Sequence, residues 1–150
     1  MKKKKVLVID DNQENLEAAK EQLGEDYNLT AISTFEEAKK MLSEEKWDIV
    51  MTDIFMPATE DGLTSEGLRH SHELVPVGLI LALVALKENT PQIFIVSDTN
   101  RHSHPIAWAM DNIRSGYDEA SEDRIVCRYH FSDASGKRVK DWKRVLKAKQ

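Results

Sequence analysis

The stretch Lys5-Val-Leu-Val-Ile-Asp-Asp-Asn12 decides the fold. Val6 to Ile9 is a short, unbroken apolar run, the mark of a strand buried on both faces. Two carboxylates, Asp10 and Asp11, end it at once. Asp11-x-x-Glu14 then matches a helix start, Leu16, Ala19 and Leu23 fall on one helical face, and Gly24 is a plausible stop.

The same alternation continues outward from this unit. Strands are predicted at Tyr27–Ile32, Trp47–Thr52, Gln92–Val96 and Arg124–Arg128. Helices are predicted from the capping boxes at Ser33 and Thr34, over Ile106–Ile113, and in a basic final segment at about 138–148 striped by Val139, Trp142, Val145 and Leu146. Strands alternating with helices imply a parallel sheet with helices on both faces. Five strands in 150 residues suit a flavodoxin-like doubly wound α/β sheet of order 2-1-3-4-5, in a single domain spanning 1–150.

Two segments depart from the pattern. Residues 54–73 form a polar connection longer than ordinary loops of such units. Residues 77–86 carry no polar side chain, too short a run to span a bilayer, and Leu/Ala-rich enough for a helix after Pro76. A helix apolar all round needs cover on both sides. The long connection folding over it is one source of cover; a homodimer or partner contact is the other.

A net charge of −5 conceals an asymmetry. Lys2 to Lys5 and seven basic residues within 137–149 sit at the ends, leaving 10 basic against 25 acidic residues in the body, a net of −15 there. Such a body argues against nucleic acid as ligand and suits cations. The single cysteine, Cys127, excludes an intramolecular disulfide framework and fits a cytoplasmic location. Only Val6 to Ile9 is apolar after the opening lysines, so neither an export segment nor a membrane association is expected.

Asp10 and Asp11 follow the first strand and Asp53 follows the third. In a 2-1-3-4-5 sheet those strands are neighbours, so the three carboxylates converge at the carboxyl edge. Close carboxylates repel unless a cation neutralises them, and magnesium prefers a few carboxylate oxygens together with water and phosphate. A carboxylate beside such an ion can accept a phosphoryl group. The plainer reading is that Asp10 or Asp11 caps a helix while Asp53 merely ends a strand.

Lys5-Val-Leu-Val-Ile-Asp-Asp-Asn12 together with Asp53-Ile-Phe-Met-Pro57 resembles the bacterial response-regulator receiver domain, and Ile93-Phe-Ile-Val-Ser97 extends the likeness. The resemblance implies that Asp53 is the phosphoacceptor. It implies that Asp10, Asp11 and Asp53 hold magnesium with the Phe55 carbonyl, and that Ser97 contacts the phosphoryl group. It further implies a histidine kinase or phosphotransfer protein upstream, a protein partner downstream, and a stand-alone phosphorelay switch rather than a dedicated enzyme. Arg128 takes the usual lysine place, Tyr129 the proline place and Ile125 the aromatic place; Lys137 is a remoter source of the cation. Asp98 follows Ser97 where a small residue is usual.

The five histidines, His70, His72, His102, His104 and His130, all follow the third, fourth or fifth strand, and Arg-His-Ser-His occurs at both 69–72 and 101–104. A His-x-His pair can place two imidazoles near one ion. A second metal at His102, His104 and Asp98 is therefore one expectation, and with it a metal-binding or metal-dependent hydrolase variant. His104 capping the helix that begins near Pro105 is the plainer one. Asp98 and Arg128 also leave open a pseudo-receiver, a scaffold that does not switch by phosphate.

Overall fold

The computed structural model describes residues 2–57, 73–97, 104–114, 125–128, 131–132 and 138–147. The chain forms β1 (Lys5–Ile9), α1 (Gln13–Leu23), β2 (Asn28–Ile32), α2 (Phe35–Glu44) and β3 (Ile49–Thr52). β4 (Met56–Pro57), β5 (Leu74–Val75), α3 (Val77–Lys87), β6 (Gln92–Val96) and α4 (Pro105–Arg114) come next. β7 (Ile125–Arg128), β8 (Phe131–Ser132), β9 (Val139–Lys140) and α5 (Trp142–Lys147) complete it. The main sheet runs β2-β1-β3-β6-β7 with every neighbouring pair parallel. This is the expected 2-1-3-4-5 order, β6 and β7 serving as its fourth and fifth strands.

Alternation along β1 divides the core. Leu7 and Ile9 face a cluster with Ala38 and Leu42 of α2 and Leu81 and Ala85 of α3. Val6 and Val8 face Leu16 and Ala19 of α1 and Trp142 and Val145 of α5. Each face of the sheet is thus covered by helices, which is why its central strands read as continuous apolar runs rather than alternating ones.

α1 starts one residue past the expected cap. Asp10 Oδ1 accepts the Asn12 N–H at 2.9 Å, and the Asn12 side chain accepts the Glu14 N–H at 2.9 Å. Asn12, rather than Asp11, is the cap. The predicted basic helix at about 138–148 is also corrected. Val139 and Lys140 are extended and pair antiparallel with Phe131 and Ser132, so α5 occupies only Trp142–Lys147. The apolar stripe that suggested one helix is shared between a strand and a helix on the same side of the sheet.

The long connection after β3 is clipped where it leaves and returns. Met56 pairs with Val75 and Pro57 with Leu74 in an antiparallel ladder. Residues 58–72, the bulk of the predicted insertion, lie outside the described residues. α3 then packs on α2, β3 and β6, burying Gly78, Leu81, Ala82 and Ala85. Its opposite side leaves Ile80 47% and Leu83 58% exposed, so the described elements cover one side of this apolar helix. Among the described residues no helix is long and apolar enough to cross a membrane.

The start of α3 lies directly against the end of β3. The Gly78 N–H donates to the Ile54 carbonyl at 3.0 Å, and a Cβ at Gly78 would stand 1.7 Å from the Asp53 carbonyl oxygen. Only glycine permits that approach, because the obstacle is backbone that cannot rotate away. Gly78→Ala is therefore expected to destabilise the protein at the upper end of ~1–3 kcal/mol for overpacking, or beyond. Urea unfolding followed by tryptophan fluorescence reads this; an unchanged midpoint would contradict the close approach.

Candidate functional site

The carboxyl edge of the sheet gathers the acids. Ile9 pairs with Thr52 across the β1–β3 ladder, and the Asp53 N–H donates to the Ile9 carbonyl at 2.9 Å. The register therefore sets Asp10 and Asp53 side by side just past the ladder. Asp10 is fully buried and Asp53 is 6% exposed, while Asp11 is exposed. One carboxylate oxygen from each of the three lies within 4.8 Å of the others. This is the convergence expected from the strand ends. Among the described residues it is the only group of three or more His, Cys, Asp or Glu side chains close enough to share an ion.

Among the described residues, the buried cation at this edge is Lys140. Its Nζ lies 2.5 Å from Asp10 Oδ2 and 3.1 Å from Asp53 Oδ1, with the side chain fully buried. The sequence expectation for this place is Arg128 and, more remotely, Lys137, with Lys140 falling inside the basic helix predicted at about 138–148. Arg128 ends β7 opposite Val96; its side chain and the whole of Lys137 lie outside the described residues. The chain instead continues past β7 into the β8–β9 ribbon, whose last residue delivers the lysine. The available signal was faint: a Val-Lys pair two residues before a tryptophan.

Burial pulls the Lys140 ammonium toward the neutral form. The charges of Asp53 and Asp10, reinforced by hydrogen bonds to both, outweigh this and raise its pKa above the ordinary lysine value. The site is further braced by Asn15, buried on the first turn of α1. Its Nδ2 donates toward both Asp10 oxygens, at 3.3 and 3.2 Å, and its Oδ1 accepts the Lys140 N–H at 3.0 Å. Asp53 Oδ1 accepts the Ile54 N–H at 2.8 Å, and the Thr52 hydroxyl donates to the Asp53 carbonyl at 2.9 Å. These contacts fix the orientation of both buried carboxylates.

The remaining expected residues fall as follows. Ser97 follows β6 directly and is 1% exposed, at the same edge as Asp53. Phe55 is buried two residues after Asp53, and its ring meets that of His104 edge-on at 4.6 Å. His104 Nδ1 accepts the Ile106 N–H at 3.1 Å, so it caps α4 as in the plainer reading. Asp98, His70, His72, His102 and His130 lie outside the described residues. No described group supports a second metal at His102, His104 and Asp98.

An all-oxygen set of three carboxylates, with one member open to solvent, suits a hard divalent cation that keeps several waters. Two of the oxygens already have a cationic neighbour, so the site is built to carry positive charge.

Residues 6–90 match the family model described as response regulator receiver domain. Similar solved structures include a response regulator receiver protein from Sinorhizobium medicae WSM419 (20% identity, covering 97% of this chain and 90% of that one, TM-score 0.58). The signal receiver domain of an HD domain-containing protein from Pseudomonas fluorescens Pf-5 is another (14% identity, 98% and 91% covered, TM-score 0.59). A third is the response regulator TrrA from Thermotoga maritima in complex with Mg(2+)-BeF (21% identity, 83% and 86% covered, TM-score 0.52). At these identities the structures speak to the fold. No curated protein sequence matches the chain.

Removing the lysine leaves two buried carboxylates facing each other. Lys140→Met is expected to cost about 3–5 kcal/mol at neutral pH, the usual penalty for deleting one partner of a buried ion pair. Because the native pKa of Lys140 is raised, its contribution is complete below the ordinary lysine value. It declines above that value and is lost once pH passes the raised native one. Unfolding free energies of wild type and Lys140→Met should therefore differ most at neutral pH and approach each other only in strong alkali. Urea titrations at a series of pH values check this, and a difference that grows with alkalinity would contradict it.

Proposed function

The chain belongs to the response regulator receiver domain family, and from that premise we propose that it is a magnesium-dependent phosphoryl acceptor in two-component signalling. The observation that carries the reading is Lys140. Its buried ammonium spans Asp10 and Asp53 within the acidic triad and supplies the positive charge that phosphoryl transfer to a carboxylate needs.

Asp53 is the acceptor in this reading. One of its carboxylate oxygens attacks the phosphorus of a phosphodonor, a phosphohistidine or a small acyl phosphate. The bond from phosphorus to the donor's leaving atom breaks with its electron pair, and an acyl phosphate remains on Asp53. Asp10, Asp11 and Asp53 are the residues that would hold magnesium, helped by the Phe55 carbonyl. When bound, that ion supplies charge neutralisation of the phosphoryl oxygens.

The protein's own groups do the rest. The Ile54 N–H and Lys140 hold the Asp53 carboxylate in one orientation, so attack does not wait on side-chain rotation. Ser97, buried at the end of β6, is the hydroxyl for the arriving phosphoryl oxygens. Lys140 offsets charge as it builds. These roles make the chain a switch rather than a dedicated enzyme. Its partners in this reading are a histidine kinase or phosphotransfer protein upstream and an effector protein downstream.

Incubation with magnesium and acetyl phosphate, followed by intact mass measurement, is expected to give a single phosphate adduct. The adduct should be absent from Asp53→Asn and from samples stripped of divalent cation. Equal adduct on Asp53→Asn would overturn the assignment of the acceptor. A wild-type chain that stays unmodified by both acetyl phosphate and a panel of phosphohistidine donors would overturn the reading as a whole.

A further inference from the structure

Lys140 is seated by a different element from the strand that precedes it. Segment 138–147 is fastened along α1 at two places. At the first, Asn15 Oδ1 accepts the Lys140 N–H at 3.0 Å and the Asn15 carbonyl accepts Trp142 Nε1–H at 2.9 Å. At the second, seven residues along the helix, Gln22 Nε2 donates to the Lys140 carbonyl at 3.1 Å and Gln22 Oε1 accepts the Lys143 N–H at 3.1 Å. Gln22 therefore closes a two-bond clamp over the backbone of the very residue whose ammonium enters the acid site, without being one of the three acids there. The β8–β9 ladder is only two pairs long and contributes little hold of its own.

A divalent cation among Asp10, Asp11 and Asp53 would draw on the carboxylates that already receive Lys140. Like charges at that spacing oppose each other. We propose that Asn15 and Gln22 are positioning residues that hold Lys140 forward into the acid site, and that through this clamp α1 sets cation affinity and phosphoryl acceptance in opposite directions. The inference rests on the cation-dependent acceptance proposed above. By linkage, whatever loosens the seat of Lys140 lets a divalent cation bind more tightly. The same loosening removes the ammonium from the point where charge develops on transfer, so acceptance slows.

Gln22→Ala is the direct test, because Gln22 is partly exposed and lies outside the acid cluster. Magnesium affinity is measured by calorimetry, and acceptance by the rate of adduct formation from acetyl phosphate at saturating magnesium. Hydrogen exchange at the Lys140 and Lys143 amides reports the seat itself. The expected result is faster exchange at both amides, magnesium binding tightened roughly 3- to 10-fold, about the worth of one hydrogen bond, and acceptance slowed by a similar factor. Lys140→Met should move both quantities the same way and further, while Gln22→Glu, which keeps the acceptor for the Lys143 N–H, should lie between wild type and Gln22→Ala.

A merely structural role for Gln22 predicts something else, a fall in affinity and rate together with stability. That result, or faster exchange with both quantities unchanged, would overturn the inference while leaving the proposed function standing. Failure of the wild-type chain to bind magnesium at all would overturn both.

Discussion

An ammonium group between two carboxylates, all three buried, governs this molecule. Asp10 and Asp53 are brought together by strand register, not by mutual attraction; β1 and β3 pair in parallel and both end at the same edge. Left alone, two such charges in a poorly polarisable interior would oppose the pairing that creates them. Lys140 reverses the sign of that interaction. The carboxyl edge is thus stable only as a set, and the set needs residues from the first strand, the third strand and the far end of the chain.

That dependence explains the detail around it. Asn15 is buried because it serves two masters, donating to Asp10 and accepting from the Lys140 backbone. Trp142 is wholly buried two residues after Lys140, on the same side of the sheet as Val6 and Val8, and its indole N–H ends on the Asn15 carbonyl. Hydrophobic burial and the polar network therefore favour the same placement of segment 138–147. Gly78 belongs to the same logic on the opposite side. It lets α3 press on the Asp53 backbone, so the end of β3 is braced by main chain on one side and by the Lys140 ion pair on the other.

The parts of this arrangement that were legible in the sequence are those encoded locally or by strand order. Apolar runs ending in acids at Ile9–Asp10 and Thr52–Asp53 place both carboxylates once the sheet order is inferred from alternation. Ser97 follows from the same rule. His104 kept its plainer role because a histidine one residue before a proline-initiated helix is well placed to cap it. Lys140 was not legible. Two-residue strands carry no periodic signal, and Val139, Trp142, Val145 and Leu146 have the spacing of one helical face even though Val139 lies in β9. What places Lys140 in the core is its contact with Asp10, Asn15 and Asp53, all far earlier in the chain, and no local pattern records that.

The two-pair ladder joining Met56–Pro57 to Leu74–Val75 has a consequence for how this sheet tolerates change. Because the clip brings Pro57 and Leu74 together, the ends of the intervening connection are held by paired main chain, and the cost of closing it is one of loop entropy. That grows with the logarithm of length, about 0.6 kcal/mol for each doubling. In closure entropy alone, a longer or shorter connection beyond Pro57, a few residues from Asp53, therefore costs little.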